Sequence, residues 1–308
     1  SSRDTNAATP RASVSKKPAA GKKPAAAARP AAADDDDVAL NQAPSISDDD
    51  AIERMAGLAG AAAVANLRSA DWKLRVEGME AVVEAIDAGK ENLDAEATVQ
   101  ALMALPGLTE KNVSVTAKMI GALIALSASE GFKKREAFHS IKVLEKISDS
   151  KLKEPVGNLL SACAEACGLS FVLTQVHKQA GGHRNPKVLA ESVAWMGRAM
   201  GEFGLAGCKP GDIIGWMKEY LGGTNAAAKT AAVKTLGVMH SAIGPSVKNF
   251  LGDIKPALMS QIEAEFANPV EVMAPTRKAR SAKPKARPAA AAASGGAGAE
   301  EGGEEEED

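Results

Sequence analysis

Ser69-Ala70-Asp71-Trp72-Lys73-Leu74-Arg75 decides how the rest of the chain is read. It is a short polar break with cations, followed by Val76, Met79, Val83 and Ile86, apolar residues at helical spacing. That spacing places Trp72 and its two cations on the turn leading into a helix. The arrangement returns four times. Thr109-Glu110-Lys111-Asn112-Val113 precedes the stripe Ala117, Ile120 and Ile124, and Asp149-Ser150-Lys151-Leu152-Lys153 precedes Val156, Leu159, Cys163 and Cys167. His183-Arg184-Asn185-Pro186-Lys187, whose proline suits a first helical position, precedes Leu189, Val193, Met196 and Met200. Thr224-Asn225-Ala226-Ala227-Ala228-Lys229 precedes Val233, Leu236 and Ile243.

From Trp72 through Asn112, Leu152, Pro186 and Thr224 the steps are 40, 40, 34 and 38 residues. Paired-helix solenoids repeat at about 40 residues, so the chain reads as all-α, a stack of helical hairpins. In such an array each hairpin buries its apolar face against its neighbours, and equivalent turns line up on one continuous edge. That edge would carry Trp72, Lys73, Arg75, Lys111, Lys151, Lys153, Arg184, Lys187 and Lys229, flanked by Asp71, Glu110, Asp149 and Glu154.

Five hairpins are expected in detail. Helix 51–67 pairs with 72–87, helix 95–105 with 112–127 across Pro106-Gly107, and helix 134–147 with 153–166. Helix 169–179 pairs with 186–202 across Gly181-Gly182, and helix 210–221 with 225–243 across Gly222-Gly223. A shorter sixth unit, 246–251 and 254–266, closes the array as a cap. No stretch sustains period-two alternation, so no sheet is expected.

Composition divides the chain into a core, 50–267, and two tails, 1–49 and 268–308. The tails are rich in Ala, Pro, Gly and charge and poor in large apolar side chains, which marks them as disordered linkers. The net charge of −2 conceals blocks: residues 277–288 carry six cations and residues 300–308 carry seven acids. The basic tail segments suit weak, salt-sensitive contacts with an anionic surface. Three cysteines, all within helical stretches, suit a reducing compartment better than a disulfide framework. No signal peptide is evident, and the longest apolar run, Met119 to Leu126, is too short to span a bilayer. The missing first methionine and the charged last segment suggest an excerpt of a longer protein.

Trp195 and Trp216 lie inside apolar helical stretches and read as core residues, whereas Trp72 sits between Asp71 and Lys73 at a turn, a position suited to an interface anchor. A row of turn cations makes a field suited to an acidic partner. With one aromatic on the edge and no recognised motif, nucleic acid fits poorly. Cys163, Cys167, His177 and His183 have a loose zinc-finger spacing, but the helical pattern turns both cysteines into the core and carries the histidines onto other segments. No phosphate loop, nucleophile elbow, HExxH or Rossmann glycine fingerprint is present, so neither enzyme activity nor a cofactor, metal or small-molecule substrate is expected.

Trp72-Lys73-x-Arg75, Asn185-Pro186-Lys187, Thr224-Asn225-x-x-x-Lys229-Thr230-Ala231-Ala232, Leu236-Gly237-Val238-Met239 and Lys255-Pro256-Ala257-Leu258 through Phe266 together resemble a TOG domain. That family is the six-HEAT-repeat module of the microtubule polymerases, and the likeness is greatest to the third TOG domain of the animal ch-TOG and plant type. The resemblance implies an α-solenoid of about six HEAT repeats whose turns grip a curved, free αβ-tubulin dimer. It also implies contact with the microtubule lattice, sister TOG domains in the same protein and a place in the cytoplasm at plus ends, spindles and organising centres. By position it assigns the contacts to Trp72, Asn112, Val113, Lys151, Lys153, Asn185, Lys187, Asn225 and Lys229. Lys229 stands where arginine is common in the family, and lysine lacks the planar fork. The rival expectation is a HEAT-repeat adaptor that binds another acidic protein through a concave helical face, with its functional residues on helices and not on turns.

Overall fold

The computed structural model describes Leu40, residues 45–89 and residues 93–272, so the tails expected to be disordered fall mainly outside the described residues. By backbone contact the chain divides into 1–43 and 44–308, and the architecture below is that of the second unit. Its helices are α1 Asp48–Ala59, α2 Ala61–Leu67, α3 Trp72–Ala88, α4 Ala95–Leu102, α5 Val113–Ser127 and α6 Lys134–Ile141. They continue with α7 Lys153–Cys167, α8 Leu169–Gly181, α9 Pro186–Phe203, α10 Pro210–Gly222, α11 Ala226–Ile243 and α12 Pro256–Phe266. No strand occurs among the described residues. The helices form hairpins: α1 and α2 with α3, α4 with α5, α6 with α7, α8 with α9 and α10 with α11. A 3-10 segment, Gly244–Phe250, and α12 close the stack.

The starts follow from capping. Ser47 accepts the Asp50 amide, and three aspartates fill the first turn of α1, where the macrodipole favours acids. Three departures from the periodic reading have local causes. The first expected helix is broken at Gly60, whose φ of 92° lies in the left-handed region that only glycine enters cheaply. Helix α4 stops at Leu102, because Leu105 precedes Pro106 and takes an extended backbone, φ −142° and ψ 113°. The expected helix 134–147 is α-helical only to Ile141 and continues as a 3-10 segment, Lys142–Ser148, in which Val143, Leu144 and Ile147 are all buried.

The core runs along the second helices of the hairpins. Met79 and Ile86 of α3, Met119 and Leu123 of α5, Leu159 and Cys163 of α7, Val193 and Met196 of α9, and Leu236 and Met239 of α11 are fully buried. Each such side chain contributes about 1.5–3 kcal/mol through removal from water. Trp195, also in this layer, donates its indole N–H to the Gly157 carbonyl at 3.1 Å, which ties α9 to α7. Helices α9 and α11 approach so closely that a Cβ on Gly197 would lie 2.7 Å from Thr235 Oγ1.

Candidate functional site

The turns between paired helices are built by short polar side chains at helix starts. Asp71 accepts the Lys73 amide at 2.9 Å and so caps α3, leaving Trp72 as the first helical residue. Asn112 caps α5 by accepting the Ser114 and Val115 amides, Asn185 caps α9 through the Lys187 amide, and Asn225 caps α11 through the Ala228 amide. Leu152, at the start of α7, caps with no side chain; Asp149 organises that turn by accepting the Lys151 amide. Side-chain capping of this kind satisfies amides that the helix leaves without partners.

Successive turns are joined by polar links. Arg75 reaches from the first turn to Glu110 of the second, with Nε at 2.8 Å and Nη2 at 3.2 Å. Lys146 Nζ donates to the Leu108 carbonyl at 2.6 Å and joins the third hairpin to the second. Asn185 Nδ2 donates to Ser148 Oγ at 3.2 Å, and Lys153 pairs with Glu191, so the fourth hairpin is bound to the third. Asn225 Nδ2 donates to the Pro186 carbonyl at 2.6 Å, joining the fifth turn to the fourth. The links tie each hairpin to the next from the first turn to the fifth, as stacked repeats with adjacent turns require.

Trp72 lies at the first of these turns with 44% of its surface exposed, against 2% for the core indole of Trp195. Leu74 beside it is also exposed, and these are two of the four large apolar residues so exposed among the described residues. Lys73, Lys111, Lys151, Arg184 and Lys187 are exposed, Lys229 and Val113 are half-buried, and none of these cations has an ion pair among the described residues. Arg75 and Lys153 are placed differently from the rest. The Arg75 side chain keeps 18% exposure inside its ion pair, and Lys153 is held by Glu191. Asn112, Asn185 and Asn225 have their side-chain oxygens committed to caps. Burial alone would raise the Glu110 pKa. The Arg75 hydrogen bond and the Asn112 amide outweigh it and hold the carboxyl below the usual carboxylate range.

Sequence reasoning missed Leu74, because one apolar residue in a helical stripe carries no mark of exposure. It also missed the links through Glu110, Lys146 and Ser148, since nothing in the local pattern shows which residues meet across repeats. The loose zinc spacing separates in space: Cys163 is buried in α7, His177 hydrogen-bonds Tyr220 between α8 and α10, and His183 accepts the Asn185 amide. Burial pushes the Cys163 thiol up and His177 down to about 4.

A family model described as XMAP215/Dis1/CLASP, TOG domain, matches residues 64–266. The chain belongs to the TOG-domain family. This TOG domain is 36% identical over 236 residues to protein MOR1 of Arabidopsis thaliana, covering 74% of the chain and 12% of that protein. It thus spans about an eighth of the length of the curated relatives it matches. The solved third TOG domain of Drosophila melanogaster Mini spindles superposes with a TM-score of 0.65 at 26% identity, over 71% of this chain and 99% of that one. A structure concerned with tubulin recruitment and assembly by microtubule polymerases with TOG domain arrays shares the fold, with a TM-score of 0.56 and 17% identity, over 69% and 46% of the two chains. The fold of this TOG domain is therefore the HEAT-repeat α-solenoid.

Proposed function

We propose that this TOG domain binds αβ-tubulin through its turn edge. Trp72 anchors the dimer, and Lys73, Lys111, Lys151, Arg184, Lys187 and Lys229 supply the complementary field. Asn112, Val113, Asn185 and Asn225 shape the backbone that presents them. The observation that supports this reading is the series of links between successive turns, from Arg75–Glu110 to Asn225–Pro186, together with an exposed Trp72 and six turn cations that have no ion pair among the described residues. A preorganised edge spends little ordering entropy on contact, and a row of cations speeds encounter with an acidic partner such as tubulin.

The domain acts by binding and not by catalysis, and it requires no cofactor. In the longer protein it would hold or orient a tubulin dimer while sister TOG domains and basic linkers keep the protein on the lattice. Several modest modules then raise the effective concentration without new contacts and promote microtubule growth and spindle organisation. This work belongs at microtubule plus ends, spindles and organising centres in the cytoplasm. Size-exclusion of the chain with unpolymerised tubulin, at low and at physiological salt, tests the reading. Co-migration that weakens with salt is expected. No co-migration even at low salt would overturn it and favour an adaptor for a different acidic protein.

A further inference from the structure

We infer that Arg75 and Glu110 form a clamp that positions Trp72 on the proposed tubulin edge, and that Arg75 is not itself a contact residue. The inference rests on the tubulin reading for its functional consequence and on geometry for the clamp. Arg75 Nη1 donates to the Ser69 and Ala70 carbonyls, both at 2.9 Å, so it holds the two residues that lead into the α3 cap. Its other nitrogens bind both Glu110 oxygens. Glu110 Oε1 in turn accepts the Lys111 and Asn112 amides, at 2.9 and 2.7 Å, which fixes the second turn. One half-buried ion pair thereby holds the backbone on both sides of the first inter-repeat junction.

Trp72 depends on that backbone. Its ring has no ring or cation partner among the described residues and keeps 44% of its surface exposed, so packing sets its direction only in part. What fixes its place is the start of α3, held by Asp71 from one side and by the clamp from the other. A lysine at position 75 keeps the charge but lacks the planar fork and cannot make these bonds together. Glutamine at position 110 keeps the shape and removes the charge that Arg75 balances.

The test uses the whole chain with 5-fluorotryptophan in place of tryptophan, with the three fluorine resonances assigned by Trp→Phe variants. In Glu110→Gln and in Arg75→Lys the Trp72 resonance should shift or broaden while that of Trp195, buried in α9, stays. Both variants should weaken tubulin binding by about three- to tenfold, and neither should weaken it further in a Trp72→Ala background, as coupled sites require. A direct contact by Arg75 makes the opposite forecast for Glu110→Gln, since a released cation would tighten binding to an acidic partner. An unmoved Trp72 resonance, tighter binding by Glu110→Gln, or additive losses with Trp72→Ala would each overturn the clamp. If Arg75→Lys perturbs the Trp195 resonance as well, Glu110→Gln alone decides. Failure of the wild-type chain to bind tubulin would remove the proposed function, while the fluorine spectra would still decide the clamp.

Discussion

At the scale of single residues, exposure separates the three tryptophans and gives them different consequences. Trp195 fills the core with its N–H satisfied, and Trp216 stacks on His177 with ring centroids 4.4 Å apart. Trp72 keeps 44% of its surface exposed at a helix start. Trp72→Ala should therefore cost only about 1–2 kcal/mol of stability, for the part of the ring removed from water. It should nonetheless weaken tubulin binding by about 2 kcal/mol or more, roughly thirtyfold, as expected of an aromatic anchor. Calorimetry and a binding titration on the same sample check both halves. Asn225→Ala should behave in the reverse order. It removes the α11 cap and the bond to the Pro186 carbonyl, so about 1–2 kcal/mol of stability should go, seen as a lower Tm. The sequence made Asn185 and Asn225 visible as turn residues, because each stands in a polar break before an apolar helical stripe. It could not show that their second polar group reaches the neighbouring turn, since that depends on how repeats stack.

At the scale of helices, the joints between hairpins decide which changes the fold tolerates. Helices α9 and α11 meet where a Cβ on Gly197 would overlap Thr235 Oγ1, so Gly197→Ala should cost about 1–3 kcal/mol by overpacking. A shift in urea midpoint without loss of helical signal checks it. Helices α8 and α10 are joined by the His177 stack on Trp216 and its hydrogen bond to Tyr220. Desolvation, helped by Lys178, pushes the His177 pKa down to about 4. The folded state thus favours neutral imidazole. The stability this gives is complete above the ordinary histidine value, near 6.5, and is lost as pH falls toward about 4. The lowered Glu110 carboxyl adds a loss in the same direction at still more acid pH. Urea unfolding should show lower stability at pH 5 than at pH 7, and His177→Phe should flatten that difference. The positions of helices were legible from apolar spacing at 3.6 residues and from the glycine and proline breaks. The interruption at Gly60 was not, because a lone glycine among alanines is compatible with a continuous helix and only the backbone angle shows that this one breaks it. The change to 3-10 geometry after Ile141 was hidden for the same reason: Val143, Leu144 and Ile147 continue an apolar pattern that either helix type can bury.

At the scale of the whole molecule, the repeat of the turn motif made the architecture legible before any contact was known. The step lengths from Trp72 to Thr224 imply hairpins, and hairpins that bury one face against neighbours must bring their turns to one edge. What the pattern could not apportion was the labour of the charged residues on that edge. Arg75 and Lys153 look like the other cations in the sequence, yet Glu110 and Glu191 take them up. The remaining cations should make tubulin association fall steeply with added salt, because exposed charges are screened over roughly 8–10 Å at physiological ionic strength. The central claim is that the linked turns act as one tubulin-binding edge, and sedimentation velocity with unpolymerised tubulin tests it most directly when the chain is compared with Trp72→Ala plus Lys229→Ala. A complex should form with the wild type and none with the doubly substituted chain, which should stay folded by circular dichroism. A complex of undiminished affinity with the substituted chain would contradict it.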